Sequence, residues 1–456
     1  MTPLLDPRQL EGAGIHTVIV ATPDLQGRLV GRRVPAERFP GILECGVEIC
    51  TCAWAWDVEQ SFDLIGAGVL AVCSMHNGAP DVALIPDVGT LRRAAWLQGV
   101  AICMADPVWP TTGEPLDISP RVLLKKELAR YRDMGYSPQA GTELEFYLFA
   151  NNPRALRKSD FRDDLDPTTL TPSDFMIHEG NGYEPFFQKL RRDLRDSGIE
   201  VEAGQSEWGT GQWEMTFAYG DPLEMADRHA LYKLAVRDSA VAAGMSVTFM
   251  ARPLNDQPGS SCHVHLSLLD DAGGSVFWNA DAEHRMSDTL RSAVAGMLEH
   301  TPAFMAWYAP TVNSYRRTNS QEIAGYGRTW AVQNRSVSAR IVGHTSSALR
   351  VEYRIPGADT NPYLTLGGVL ASARDGIARS ATPPAMTVGN AYDGEIDAAM
   401  PTQLAEAAEM FATSDFVRRL IGEENTSHFR HLAELEWRVY QSTVTQWDLQ
   451  RYFDRI

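Results

Sequence analysis

Cysteine is scarce in this chain, with six residues in 456. Cys73 and Cys103 sit inside apolar runs. Buried, reduced thiols are therefore expected, not a disulfide framework, and with them a cytoplasmic location. Cys50-Thr51-Cys52 resembles half of a metal site, but no second cysteine pair completes a zinc set. Long apolar runs are also missing. No uninterrupted stretch reaches the ~18 residues of a membrane span. The first residues carry Asp6, Arg8 and Glu11 where a targeting segment would be apolar, so none is expected. Positive charge is in deficit. The chain has 41 Lys and Arg against 58 Asp and Glu, a formal net charge of −17, which argues against nucleic acid as a partner. A Walker A sequence is absent, so any nucleotide phosphates must be held without a P-loop. Internal repeats and low-complexity tracts are absent too.

What is present reads as a globular chain of more than one domain. Residues 16–21 and 29–34 predict short strands around the turn Asp24-Leu25-Gln26-Gly27, and residues 100–105 predict another. Three prolines and a glycine in residues 106–118 predict a linker. Ser119 as N-cap and Pro120 at the first helical position open a helix that Gly135 stops. Helices then alternate with charge-bearing strands. Residues 151–182 are polar and irregular and predict a long surface loop. Residues 403–450 have helical periodicity with many charges and predict a C-terminal helical cap.

The charged strands carry the chemistry. In Arg350-Val351-Glu352-Tyr353-Arg354 the alternation puts three ionised groups on one strand face. Such a row either faces water or holds anions and a metal together. Glu143 and Glu145, at i and i+2 in residues 141–149, share a face roughly 6–7 Å apart along the strand. Two unpaired carboxylates there would raise each other's pKa, a penalty that divalent cations remove. Glu207 and Glu214 flank a Gly-rich turn just before an apolar strand at 215–218. His263, His265 and Ser267 share another strand face, behind a Gly259-Ser260-Ser261 lead-in that permits close approach to an anion. Either these are ordinary solvated acids and core histidines, or they form one set. As a set, Glu143, Glu145, Glu207, Glu214, Glu352 and His263 are oxygen-dominated with one imidazole, which suits magnesium or manganese better than zinc or copper. Arg317, Arg335, Arg340, Arg350 and Arg354 would balance five glutamates. Two divalent ions then leave a positive site fit for ATP and an acidic substrate.

The strings GTELEFYLF, GQWE, GSSCHVHLSL, NSYRR, NRSVSARI and RVEYRIPGADTNPYL, in this order, resemble the class I-like glutamine synthetase superfamily over nearly the whole chain. LIPDVGTLRR is similar to part of that family's small N-terminal domain. The resemblance implies an α+β fold. An N-terminal β-grasp domain would span residues 1–110, and a catalytic domain with a curved, half-barrel antiparallel sheet residues 111–456. It implies stacked rings, a dodecamer, with active sites between subunits. It implies ATP as substrate and two or three Mg2+ or Mn2+ ions per active site. By motif, Glu145, Glu207 and Glu214 would hold the first ion, and Glu143, His263 and Glu352 the second. Arg317, Arg335 and Arg354 would contact glutamate and the γ-phosphate. Arg340 and Arg350 would contact phosphates, with His265 and Ser267 near the nucleotide and Gly259 near glutamate. The implied chemistry forms γ-glutamyl phosphate, which an amine then attacks.

Three departures bear on the amine. The family carries an ammonium-binding glutamate six residues after the arginine of the NSY motif, and here that count reaches Ile323, with Glu322 beside it. The family's N-terminal ammonium-site aspartate has no match in residues 46–56, which hold Trp54 and Trp56. Pro258 replaces an asparagine before the Gly-Ser loop. A site that exchanges carboxylate for isoleucine near tryptophans (Trp54, Trp56 or Trp330) should reject ammonium and accept an amine with a carbon chain or ring. Ethanolamine, another monoamine, a polyamine or an arylamine would qualify, and a monoamine is favoured because no acid is evident for a second charge. The general base would be Glu322, Glu207 or the bound phosphate. The rival readings are an ordinary glutamine synthetase with a shifted Glu322 and a catalytically silent relative. Tyr392 lies where some family members carry an adenylylated tyrosine, and an unmodified loop residue is the expectation.

Overall fold

The computed structural model describes residues 5–161, 164–320, 324–395 and 397–456, without the side chain of Tyr326. Two sheets organise it. The first contains β1 (Thr17–Pro23), β2 (Leu29–Pro35), β3 (Val47–Cys50), β4 (Asp81–Pro86), β5 (Arg92–Arg93) and β6 (Val100–Val108). Their order is β2-β1-β6-β4-β3, with β5 paired to β6. Only β1 and β6 run parallel in it. The second contains β7 (Tyr136–Phe149), β8 (Val201–Ser206), β9 (Gln212–Phe217), β10 (Ser246–Thr248), β11 (Cys262–Asp270), β12 (Tyr326–Val332), β13 (Val337–Val342) and β14 (Arg350–Tyr353). Its order is β12-β13-β14-β11-β7-β9-β8, with β10 on β7. This sheet is curved, nearly closed and flanked by helices, the expected α+β class.

The second sheet has two chemically distinct faces because side chains alternate along a strand. Leu144, Phe146, Val264, Leu266, Val351 and Tyr353 are all buried on its back. Helices Pro222–Ala242, Asp288–Tyr308 and Pro362–Ala378 supply partners there, with Phe146 edge-on to Tyr232 and Tyr308 edge-on to Tyr353. Asp221 and Asn361 cap the first and third of these helices, each accepting two backbone N–H bonds, and a proline follows each cap. The charged residues are left on the other face.

Two of the contacts that tie the sheets together involve buried polar groups in chains of hydrogen bonds. The Asp24–Gly27 turn is closed by the Asp24 carboxylate, which accepts from the N–H groups of Gln26 and Arg28. Gly27 has φ +79° and a side chain there would strike Asn361. Asn361 Nδ2 donates to the carbonyls of Asp24 and Leu25 at 3.0 and 3.1 Å. Arg121 is the second tie. Its side chain is wholly buried and donates to Asp106 at 2.6 Å, Asp87 at 2.8 Å and Asp227 at 3.1 Å. Tyr363 donates to the same Asp227 at 2.6 Å.

Some local expectations change. The presumed linker is partly strand, because β6 continues to Val108 and Val108 bridges to Pro115. The helix Pro120–Asp133 begins where expected, but the Ser119 side chain makes no capping bond. Residues 151–182 are not simply loop. Asn152 caps the short helix Pro153–Lys158, and Ile177–Gly180 forms another turn of helix. β9 begins at Gln212, so Glu214 lies within the strand. The C-terminal region is helical from Leu404 to Tyr452 in four segments. Among the described residues no helix is long and apolar enough to cross a membrane.

Arg121→Met leaves three carboxylates without their shared partner. The loss should be about 3–5 kcal/mol of unfolding free energy in a denaturant titration. A change under about 1 kcal/mol would show that the network is not the tie described.

Candidate active site

Strand register assembles the charged set. Glu143 lies opposite His263, and Glu145 opposite Glu214, which lies opposite Gln205. Glu352 lies opposite His265 on one side and Arg340 on the other. The row on β14 does not face water, since Glu352 is 2% exposed and Arg354 4%. Glu352 accepts from Arg340 Nη1 at 2.6 Å and also from Arg354 Nη1. His263 Nδ1 lies 3.3 Å from Glu143 and 3.6 Å from Glu352. His265 Nε2 lies 2.8 Å from Glu143, and its Nδ1 accepts from Arg350 at 3.0 Å.

Two cavities share Glu143. One of about 680 Å³ is lined by Glu143, Glu145, Glu207, Glu214, His263, Glu352, Gly259 and the arginines 335, 340 and 354. The other, about 410 Å³, is lined by Glu143, His265, Ser267 and Arg350 together with Thr216 and Tyr219. The family resemblance had grouped His265, Ser267, Arg340 and Arg350 around a nucleotide; three of these line the smaller cavity, whereas Arg340 lines the larger one.

The carboxylates divide into two kinds. Burial pushes Glu143 up, but its hydrogen bonds to His263 and His265 outweigh that and hold it well below the usual carboxylate range. Burial also opposes ionisation of Glu352, yet the charges of His263 and then Arg354 bring it to about 2. Glu207 and Glu214 lack such partners. Burial, then the charge of Glu145, pushes Glu207 up to about 8. Burial, then the charges of Glu143 and Glu145, pushes Glu214 up to about 10. This is the excess negative charge that a cation relieves.

The donors fit divalent ions. Glu143, His263 and Glu352 place one ligand atom each within 4.8 Å of one another, and so do Glu145, Glu214 and His263. The Nε2 atom of His263 is buried without a hydrogen-bond partner among the described residues. Glu207 lies outside both groups in this structure. It is linked to Glu214 through Gln205 Nε2, which donates to each at 3.1 Å. Oxygen donors with one imidazole suit a hard cation.

Several expected residues stand elsewhere. Arg317 is buried behind the cavity wall, not in it. It donates to the carbonyls of Ile355 and Arg354 and to Ser261 Oγ, at 2.8, 3.1 and 2.8 Å. A side chain at Gly259 would come within 2.6 Å of the Arg317 side chain, so this glycine permits that packing. Trp54 is a fully buried core residue of the first sheet's domain. Neither Trp54 nor Trp56 lines either cavity in this chain. Trp330 is buried with its indole N–H on the Pro384 carbonyl. Glu322 and Ile323 lie outside the described residues. Tyr392 lies on a short turn after its N-cap Asn390. Sequence reasoning missed Asp174, Phe175 and Trp208, which line the larger cavity. Phe175 and Trp208 are 61% and 54% exposed, and an aromatic beside the acid in Glu207-Trp208 was the available signal.

The comparisons agree with this geometry. A family model described as "Glutamine synthetase, catalytic domain" matches residues 117–452. A gamma-glutamylethanolamide synthetase, GlnA4, of Streptomyces coelicolor is 37% identical over 97% of this chain and 93% of its own length. A glutamate–isopropylamine ligase of a Pseudomonas species is 35% identical over 98% and 97%. A glutamine synthetase of Thermus thermophilus is 33% identical over 98% and 97%. The solved structure of apo GmaS without ligand superposes with a TM-score of 0.85 at 27% identity, covering both chains fully.

His263 is the candidate ligand common to both groups, so His263→Ala should weaken Mn2+ binding at least about 10–100-fold by calorimetry. Unchanged affinity would remove His263 from the site. Glu207 and Glu214 bind protons in the folded protein that they would lose on unfolding at neutral pH. The cation-free protein should therefore lose stability as pH rises above the usual carboxylate range toward 8–10. The rise in melting temperature on adding Mg2+ should be larger at pH 8 than at pH 6.

Proposed function

The chain belongs to the glutamine synthetase family, and on that footing we propose that it is an ATP-dependent ligase for glutamate and an organic amine. The γ-carboxylate is activated as γ-glutamyl phosphate, and the amine displaces phosphate to give a γ-glutamyl amide. One observation carries the reading. The cavity that holds the carboxylate, histidine and arginine set is walled beside Glu207 by Phe175 and Trp208. Two relatives whose names specify ethanolamide and isopropylamine support it.

In this reading the nucleotide occupies the smaller cavity, against His265, Ser267 and Arg350. Its terminal phosphate reaches the larger one past Glu143, which lines both. Arg335 and Arg340 receive the transferring phosphoryl group through charge-assisted hydrogen bonds. Arg354 acts with them, and Gly259 lets glutamate approach the backbone. Two or three Mg2+ or Mn2+ ions, held by Glu143, Glu145, Glu214, His263 and Glu352 with Glu207 nearby, supply neutralisation of phosphate and carboxylate charge. Arg317 positions this wall from behind. The amine's carbon chain lies against Phe175 and Trp208, with its ammonium drawn to Glu207 and Asp174. Cations at Glu143 and Glu145 would relieve the like charge that helps keep Glu207 protonated, and Glu207, outside both cation groups, then takes the proton that the amine must lose before attack. Ile323 remains part of the reading as the residue in place of the family's ammonium-binding glutamate.

The same proposal divides the chain into residues 1–110 and 111–456 and places it in the cytoplasm. It also assembles the chain into stacked rings. Trp447, Phe453 and Ile456 near the C-terminus are exposed apolar groups of the sort that a subunit contact covers.

The test is glutamate- and ATP-dependent phosphate release with ammonium and a panel of monoamines, polyamines and arylamines. At least one organic amine should exceed ammonium by about tenfold or more in kcat/KM, a difference of about 1.4 kcal/mol. Ammonium equal to the best amine would overturn the reading. Trp208→Ala and Phe175→Ala should each raise KM for the best amine about 3–10-fold while leaving KM for ATP unchanged. An unchanged amine KM in both would free the aromatic wall from the role given to it.

A further inference from the structure

Cys50 and Cys52 meet a third thiol that is distant in sequence. Cys52 Sγ lies 2.7 Å from Cys50 Sγ and 3.4 Å from Cys73 Sγ. All three sulfurs fall within 4.8 Å of one another. Cys73 is fully buried, Cys52 is 8% exposed and Cys50 is half-buried. The cluster belongs to the first sheet's domain, at the end of β3, and none of its members lines the catalytic cavities.

We propose that Cys50, Cys52 and Cys73 form a second metal site, for a thiophilic cation of the zinc(II) or copper(I) class. Three observations support it. The donors are all sulfur, with no carboxylate or imidazole among them, which selects soft cations over the hard ones suited to the catalytic centre. The backbone N–H of Cys52 donates to Cys50 Sγ at 3.2 Å, a bond that stabilises a thiolate. The surrounding chain also has a use for a staple. Between β3 and β4, regular structure is limited to a short 3-10 turn at Thr51–Trp54 and the five-residue helix Asp63–Ala67. Thr51 is bonded through N–H and hydroxyl to the Pro80 carbonyl, and the Cys50 thiol faces the Ala79 carbonyl at 3.5 Å. A cation held by Cys50, Cys52 and Cys73 would fix the start of this irregular segment, already bonded to its far end at Pro80, to its later part at Cys73.

Burial pushes the Cys52 and Cys73 thiols up. Only a cation that binds thiolate strongly enough to displace their protons would enter. Three thiolates leave a fourth tetrahedral position for zinc, while copper(I) accepts three. The sulfurs must spread on binding, because two ligands at the usual zinc–sulfur distance of about 2.3 Å in tetrahedral geometry stand farther apart than 2.7 Å.

The test uses the reduced, full-length protein, stripped of metal and then given excess Mg2+ to occupy oxygen-donor sites. Cd2+ and Cu+ are titrated separately and read by thiolate-to-metal charge-transfer absorption, which carboxylate ligands do not produce. Bound zinc is measured by elemental analysis after gel filtration. The band should saturate at one equivalent per chain for Cd2+ or Cu+. It should be lost in Cys73→Ser and in Cys50→Ser and kept in Cys45→Ser, with circular dichroism confirming the fold. If Cys73→Ser does not fold, Cys50→Ser at the half-buried ligand decides. No band, or a band that survives loss of Cys50, overturns the proposal. So does a Cys50–Cys52 disulfide in protein purified under reducing conditions, because it consumes two of the three ligands.

Discussion

Mutual repulsion of carboxylates gathered on one face of a single sheet is the constraint on which the site depends. Glu143, Glu145, Glu214 and Glu352 are brought together by the pairing of β7 with β9 and β11, and of β11 with β14. Glu207 follows directly after β8. The protein compensates one half of the cluster and leaves the other half exposed to its own charge. On the Glu352 side, Arg340 and Arg354 supply positive partners and His263 lies close by, and the acids are held ionised. On the Glu214 side the tie is the neutral donor Gln205, and Glu207 and Glu214 are pushed toward their protonated forms. The demand for a cation is therefore local, strongest at Glu207 and Glu214 and weaker where arginine already serves.

The rest of the fold keeps this arrangement from relaxing. A cluster of like charge could disperse by sliding a strand, but a one-residue slip would turn Leu144, Val264 and Val351 out of the core. The apolar back face thus pays for the charged front. Arg317 donates to the backbone carbonyls of Arg354 and Ile355, just past the end of β14, and so fixes the backbone that carries Arg354. Arg121 does the same at larger scale, joining acids from the first sheet, Asp87 and Asp106, to Asp227 on a helix behind the second.

Legibility in the sequence followed regularity. The period of two along residues 141–149, 262–268 and 350–354 predicted which side chains share a face, and those faces are where the acids and histidines are found. Register was not legible from spacing, so the link between Glu214 and Gln205, or between Glu352 and Arg340, emerged only in the structure. Depth was not legible for the tryptophans, because aromatic identity says nothing of it. Trp54 has the same composition signal as Trp208, yet one is core and the other stands at the cavity wall. Phe175 went unseen because residues 151–182 read as featureless polar loop. The Cys50-x-Cys52 pair looked incomplete because its third member is 21 positions on, across an irregular segment whose path no periodicity reveals.

These differences in legibility bear on how substrate choice is encoded. Phosphoryl transfer from ATP to glutamate needs charges at fixed positions, and regular strands are the elements that can hold them so. The acceptor amine makes no such demand. Its carbon chain needs apolar surface and its ammonium an acid, and both can be supplied by side chains on turns at the edge of the sheet. Phe175, Trp208 and Asp174 are of that kind, outside any strand. A change of amine then requires no change in the rows that carry Glu143, His263 and Glu352. Under the proposed function, sequence strings for the transfer machinery can match across a family while the acceptor differs, because the two tasks would fall on structurally separate parts of one cavity.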